Sequence, residues 1–171
     1  MGETAGRGNL HEIGGIVISA NTEIHPTAVI HESATVWAFT IIGEGVQIGP
    51  NAVIGSHCYI GKGSVIGEGA RIQTNVFLPN NSRIEQFVFI GPHVVFTDDR
   101  YPRAGNIDYI AEPPVVRFGA SIGAGAVILP GIEIGAGSMI GAGSVVTHDV
   151  MMGDLCYGLP ARPKHQTMQP T

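Results

Sequence analysis

Hydrophobic residues return at every sixth position through most of this chain, and that period admits few folds. Aliphatic or aromatic residues stand at Ile24, Ile30, Val36 and Ile42, then at each sixth place to Phe96, and again from Val116 to Val146. The position after each is usually glycine (Gly43, Gly49, Gly55, Gly61), and the fourth after the large residue is small or β-branched (Ala34, Thr40, Val46, Ala52). An amphipathic helix needs apolar spacings of three and four, and a half-buried strand alternates. Six satisfies neither. A short strand followed by a tight corner does satisfy it, with the large residue filling an axis and the small one letting the walls close. Fixed hexapeptide periods of this kind predict a parallel β-helix. Three walls make one coil of 18 residues, so side chains 18 apart stack at about 4.8 Å. The nineteen hexads then predict an all-β prism of about six triangular coils, on the order of 30 Å long by that spacing.

The expected organisation is an N-terminal segment over 1–23, partly irregular, a β-helix over 24–150 with an extended loop at 97–115, and a short C-terminal tail over 151–171. The 25 glycines suit a solenoid of tight corners. A charged fraction of 13% is low for a small monomer with large flat faces, so those faces are expected to cover one another in an oligomer. A net charge of −5 gives no reason to expect a nucleic-acid partner. Met1 to Leu10 is polar and Gly-rich, without the apolar core of a signal peptide. No apolar run is long enough to cross a bilayer, so no membrane association is expected and the location is read as cytoplasmic. Of the two cysteines, Cys58 occupies an inward small position and Cys156 lies in the tail, which suggests no disulfide framework.

Chemistry is expected where the period breaks. From Thr97 to Pro114 the would-be core positions are Pro102 and Asp108, so the wall cannot continue there. The segment is expected to leave the prism as a loop of about 14 residues beyond one hexad, longer than most connections. It carries Asp98, Asp99, Arg100, Tyr101 and Arg103. Over 73–81, Gln73 and Pro79 replace the usual glycine, and Gln73, Asn75, Asn80 and Asn81 lie close together; corner backbone geometry alone could explain Asn75 and Asn81. The 18-residue rule aligns His57, Asn75 and His93 in one corner column and places Asp98 one strand above Asn80. Asp98 is therefore a candidate general base. His93 is its rival, with the better unperturbed pKa, and a corner histidine on a wet edge is its plain structural reading. His57 and His93 are two coils apart, about 9.6 Å, too far to share one metal.

From Val116 to Val146 the repeat is almost ideal. Ala124 and Ala142 stack between glycines and should leave a shallow groove of backbone amides, suited to a thin ligand such as pantetheine. Arg162 and Lys164 in the tail are the cations a nucleotide phosphate would need at its end.

These hexads, with IGAGSVVTHDV and Gly158-Leu159-Pro160-Ala161-Arg162, resemble the hexapeptide-repeat (left-handed β-helix) acyltransferases over nearly the whole chain, from about Ile24 to Arg162. The resemblance implies a left-handed prism, a homotrimer and acetyl-CoA as co-substrate. It also implies that Ala124, Ala142, Thr147 and His148 line the CoA arm and that Arg162 meets its phosphates. IGPHVVFTDDRYPR and IQTNVF are similar to enzymes that N-acetylate amino sugars on a nucleotide diphosphate carrier for surface polysaccharide synthesis, 3-amino sugars and their uronic acids being the nearest type. In those relatives Asn often stands at the position of Asp98 and Glu at that of Asn80, so this chain exchanges the pair. The expected reaction is acetyl transfer to an amine, with Asp98 or His93 taking the proton unless the substrate does so itself. Gln73, Asn75, Asn80, Tyr101 and Arg103 are expected to hold the acceptor. Other readings are acetyl transfer to another small acceptor, a γ-carbonic anhydrase-like zinc protein, or a non-catalytic scaffold. The zinc reading needs three histidines, two of them close in sequence; His11, His25, His31, His57, His93, His148 and His165 offer no such set, and no metal is expected.

Overall fold

The computed structural model describes residues 10–13, 16–19 and 21–164. The remaining parts of the expected N-terminal segment and tail, with His165 among them, lie outside the described residues. Every regular element in that range is a β-strand, most of them two residues long. In each pair the second residue is the more buried, as in Phe89–Ile90 and Val95–Phe96. Short strands follow from the hexad itself, because the four remaining residues of each repeat are needed to turn through a corner.

Three parallel sheets form three walls. One turn around the prism runs through Arg83–Ile84, Phe89–Ile90 and Val95–Phe96, and the walls are named here after Arg83, Phe89 and Val95. Register between turns is 18 residues, as in Ile54 to Ile72 to Ile90. The axis is a continuous column of fully buried Ile, Leu, Val and Phe side chains, with Ala, Val, Cys, Ser and Thr at the small inward positions. Buried hydroxyls close their own hydrogen bonds: Thr40 Oγ1 donates to the Gly55 carbonyl at 2.7 Å and Ser82 Oγ to that of Pro79 at 2.6 Å. Such pairing removes the penalty of burying them.

The prism is longer than the period indicates. The Phe89 wall has ten strands, of which Leu10–Ile13 and Ala161–Pro163 are the antiparallel arms of terminal hairpins. Eight parallel rungs remain, so there are about eight turns in place of about six. At the start, Ile18 stacks under Val36, one hexad before the beat becomes regular. At the far end, Cys156 stacks on Ile140 and Val150 on Ile134, both 16 residues apart. Two residues are missing from that turn, which hides it from an 18-residue template. Cys156 is accordingly a core residue, 3% exposed.

Residues 97–114 leave at the corner between the Val95 and Arg83 walls. Across them the register lengthens to 32, with Ile84 stacking on Val116 and Phe96 on Ile128. Thirty-two exceeds one coil by 14, the excess expected from the sequence. The core column passes the insertion unbroken.

Candidate active site

The Val95 wall is flanked by two different corners. The first, between the Phe89 and Val95 walls, carries one backbone column with positive φ: Phe39, His57, Asn75 and His93, then Gly125 and Gly143. Amide-to-carbonyl bonds link successive members, from His93 N to Thr74 O at 3.0 Å and from Gly125 N to Pro92 O at 2.9 Å. Asn tolerates this left-handed conformation better than most residues, which accounts for Asn75 on backbone grounds. His93 adopts φ of 59° and is exposed. Half-buried Gln73 follows Ile72 at the same corner, and its carbonyl accepts from Cys58 Sγ at 3.0 Å.

Above His93 the side chains vanish. Ala124 and Ala142 are exposed, one turn apart, and a Cβ built on Gly125 or Gly143 would meet nothing within 4 Å. Gly123 differs: its Cβ would lie 2.5 Å from the Ala142 amide nitrogen, so the two turns approach as closely as glycine permits. The corner is thus a slot only in that no side chain fills it, with room for a narrow ligand bearing its own amides; the corner at Gly119 and Gly137 is equally open. The C-terminal hairpin closes against it, with Gly158 N donating to Ser144 Oγ at 3.1 Å. Arg162 lies exposed on the second arm of that hairpin, paired with Tyr157.

The second corner, between the Val95 and Arg83 walls, holds Asn80, the loop, and Thr147 with His148. Asn80 Oδ1 accepts the Lys62 amide at 2.9 Å, bracing one turn against the next. Asp98 lies at the root of the loop. Its Oδ2 accepts the Tyr109 hydroxyl at 2.7 Å and its carbonyl accepts Glu112 N at 2.9 Å. Among the described residues Asn80 and Asp98 share no hydrogen bond. Arg100 grips Glu112 through two bonds of 3.1 and 2.7 Å and donates to the Pro130 carbonyl at 2.9 Å. That pairing holds the Glu112 carboxyl below its usual range and pushes the Arg100 guanidinium up. The Asp98 hydrogen bond pushes the Tyr109 phenol up to about 12, with burial adding to it.

Within the folded loop is a cleft of about 280 Å³, lined by Tyr101, Arg103, Asn106, Asp108 and Tyr109 among others. Arg103 Nη2 donates to Asn106 Oδ1 at 3.3 Å. Thr147 Oγ1 and His148 Nδ1 are 2.8 Å apart. The structure therefore groups Gln73, Asn75, His93, Ala124, Ala142 and the Arg162 hairpin at one corner. Asn80, Asp98, Thr147 and His148 stand at the next, one short strand away, while Tyr101 and Arg103 line the cleft inside the loop that leaves it. Among the described residues, no group of three or more His, Cys, Asp or Glu is placed to hold a metal ion.

Residues 39–74 and 113–156 match the model of the bacterial transferase hexapeptide family, which comprises six repeats. A hexapeptide-repeat-containing acetyltransferase from Vibrio cholerae is 31% identical, with a TM-score of 0.63 over 69% of this chain and 72% of its own. The chain belongs to the hexapeptide-repeat transferase family. Perosamine N-acetyltransferase from Caulobacter crescentus, a variant in complex with CoA and GDP-perosamine, is 30% identical, with a TM-score of 0.51 over 85% of this chain and 57% of its own. The acetyltransferase domain of PglB from Neisseria gonorrhoeae, in complex with acetyl coenzyme A, shares the fold at 22% identity and a TM-score of 0.58, over 88% and 58% of the two chains. This hexapeptide-repeat protein thus spans under three fifths of the Caulobacter and Neisseria chains. No curated protein is significantly similar to it in sequence.

Sequence reasoning missed Tyr109 and Glu112, the residues that fold the loop back on Asp98. They lie 11 and 14 residues from it in a segment without a period, so no stacking rule reaches them. An aromatic within a charged loop was the one available signal.

Proposed function

We propose that this protein is an acetyl-CoA-dependent N-acetyltransferase whose acceptor is the amino group of a nucleotide-diphosphate-linked amino sugar, a 3-amino sugar or its uronic acid being the nearest type. The observation that carries the reading is the pair of corners beside the strand Val95–Phe96. One opens into a slot of Ala124, Gly125, Ala142 and Gly143, and the other presents Asp98 at the root of the long loop. Support also comes from a Vibrio relative solved with acetyl coenzyme A, 32% identical, and from the Caulobacter relative with its nucleotide-linked sugar.

Bound acetyl-CoA would supply an acyl group activated as a thioester. The slot at Ala124 and Ala142 would receive its pantetheine arm, with Arg162 at the phosphates; Thr147 and His148, expected along the same arm, stand one strand away at the loop corner. Gln73, Asn75, Asn80, Tyr101 and Arg103 would hold the sugar and its diphosphate. The acceptor nitrogen bonds to the carbonyl carbon as the carbon–sulfur bond breaks. Asp98 takes the proton from nitrogen and returns it to the departing sulfur, so an amide and a free thiol result. Neutral amines are good nucleophiles, so holding the two reactants together contributes much of the rate. His93 is the alternative base. Cytoplasmic location, a role in surface polysaccharide synthesis and a homotrimer belong to the same proposal. For the trimer, the Val95 wall shows outward Ile41, Tyr59, Phe77 and Val95, with the Tyr59 and Phe77 rings stacked at 5.2 Å; contiguous apolar strips of this kind mark association surfaces.

The test is release of free thiol from acetyl-CoA across a panel of nucleotide-linked amino sugars. Turnover with at least one sugar and none with the matching hydroxyl sugars is the expected pattern. Silence across the panel, alongside turnover of a simple alcohol or amino acid, would reject the acceptor class.

A further inference from the structure

The loop is a closed, internally braced structure, and its bracing converges on one carboxylate. Asp98 contributes two acceptors to the opposite limb: its carbonyl to Glu112 N and its Oδ2 to the Tyr109 hydroxyl. Two residues on, Arg100 forms the two-bond pair with Glu112 and reaches the Pro130 carbonyl. Glu112 in turn accepts Gly131 N through its own carbonyl at 2.9 Å. The limbs 98–100 and 109–112 are thereby fastened to each other and to the next turn of the prism. Tyr109 is held from below by this frame while its ring lines the loop cleft. Its neighbours Ile107 and Ile110 are 95% and 80% exposed, so packing does not fix that limb and the polar ties do.

We propose that Tyr109 is a positioning residue for Asp98, its phenol holding Oδ2 so that the other carboxylate oxygen is presented to the acceptor amine. Among the described residues that second oxygen, Oδ1, accepts no hydrogen bond. A carboxylate on a surface loop otherwise rotates among several arrangements, and only some of them can receive the amine proton. A donor that stays protonated at every working pH removes that freedom without competing for the proton. Tyrosine does this where serine or histidine would not, because its rigid ring spans from the far limb and its hydroxyl does not ionise near neutrality. The inference rests on the reading of Asp98 as the proton acceptor, and the test separates the two.

Three variants decide it: Tyr109→Phe, Asp98→Asn and the double substitution, each assayed on an accepted amino sugar. Loss of one hydrogen bond to a charged group corresponds to about a ten- to hundredfold fall in kcat for Tyr109→Phe, with KM for acetyl-CoA within twofold. The double variant should be no slower than Asp98→Asn alone, since the phenol acts only through the carboxylate. A slow Asp98→Asn beside a normal Tyr109→Phe, or strictly multiplicative losses, overturns the positioning role and leaves Asp98 in place. An Asp98→Asn variant with normal turnover removes both. A second readout needs no turnover: ultraviolet titration of the phenols, with Tyr109→Phe subtracted to isolate Tyr109. Its midpoint near 12 should fall towards the ordinary tyrosine value in Asp98→Asn, and an unmoved midpoint shows that no such bond exists.

Discussion

Filling the slot at the first corner separates ligand binding from folding. Ala142 is exposed and its side chain points away from the axis, so Ala142→Leu adds bulk where the fold does not pack. Surface substitutions away from caps and cores usually change stability by less than about 0.5 kcal/mol. The bulk lands on the open corner between Gly141 and Gly143, beside the close approach of Gly123 to the Ala142 backbone. A ligand present at a hundred times its dissociation constant contributes about 2.7 kcal/mol to the folded state. For a chain of this length each kcal/mol moves the melting temperature by about 2–4 °C. Acetyl-CoA should therefore raise the Tm of the unsubstituted protein by roughly 5–11 °C. In Ala142→Leu the Tm without ligand should stay within about 2 °C and the ligand shift should disappear. A variant that melts normally and keeps the whole shift refutes the slot as the coenzyme site. No shift in either protein favours a scaffold role.

Three further outcomes follow from the same geometry. Asp98→Ala should lower kcat/KM by one to a few orders of magnitude, with His93→Ala milder; the reverse order, measured by thiol release, transfers the base to His93. Ile72→Ala opens the middle of the fully buried axis and should cost about 2–5 kcal/mol in denaturant unfolding, against a loss within error for outward Thr35→Ala. The Asp98–Tyr109 bond raises the folded phenol above its unfolded value, so its contribution is complete below about pH 10 and is lost as pH rises through about 12. Amide exchange in residues 98–112, corrected for intrinsic rates, should accelerate across that upper window and not between pH 7 and 9.

The walls were legible because each inward position is constrained twice, by its neighbours along the chain and by the residue 18 places away. Ile54, Ile72 and Ile90 could stand nowhere else. The same double constraint made the insertion measurable, since Val116 and Ile128 resume the column at a fixed offset. It failed at the far end, where a corner shortened by two residues put Cys156 on Ile140 against the template. In the loop there is no second constraint. Stacking placed Asn80 and Asp98 in adjacent turns of one corner, but the side chains found other partners: the Lys62 amide for Asn80 and the Tyr109 hydroxyl for Asp98. Those choices depend on how the loop closes, which a period cannot encode.

A solenoid can acquire a site of this kind without disturbing its core, and that makes the loop removable. Ile84 stacks on Val116 as directly as Ile66 stacks on Ile84, so the turns on either side already meet in standard register. Arg117 ties them from outside, donating to Glu85 at 2.9 Å and to Glu133 through two bonds of 2.8 Å. One turn below, the same corner is made by four residues, Pro79 to Ser82, between Phe77–Leu78 and Arg83–Ile84. Replacing residues 97–114 with the sequence Pro-Asn-Asn-Ser should restore an 18-residue turn and remove Asp98, Tyr101, Arg103 and Tyr109 together. Repeat proteins take their stability from each unit and its nearest neighbours, so the shortened chain should keep its strand signature in circular dichroism. It should also keep its Tm shift with acetyl-CoA, because the slot at Ala124 and Ala142 lies at the other corner. Acetyl transfer to amino sugars should fall below detection. An unfolded product would mean that the loop is part of the prism's own support, and retained transfer would place the acceptor site elsewhere on the molecule.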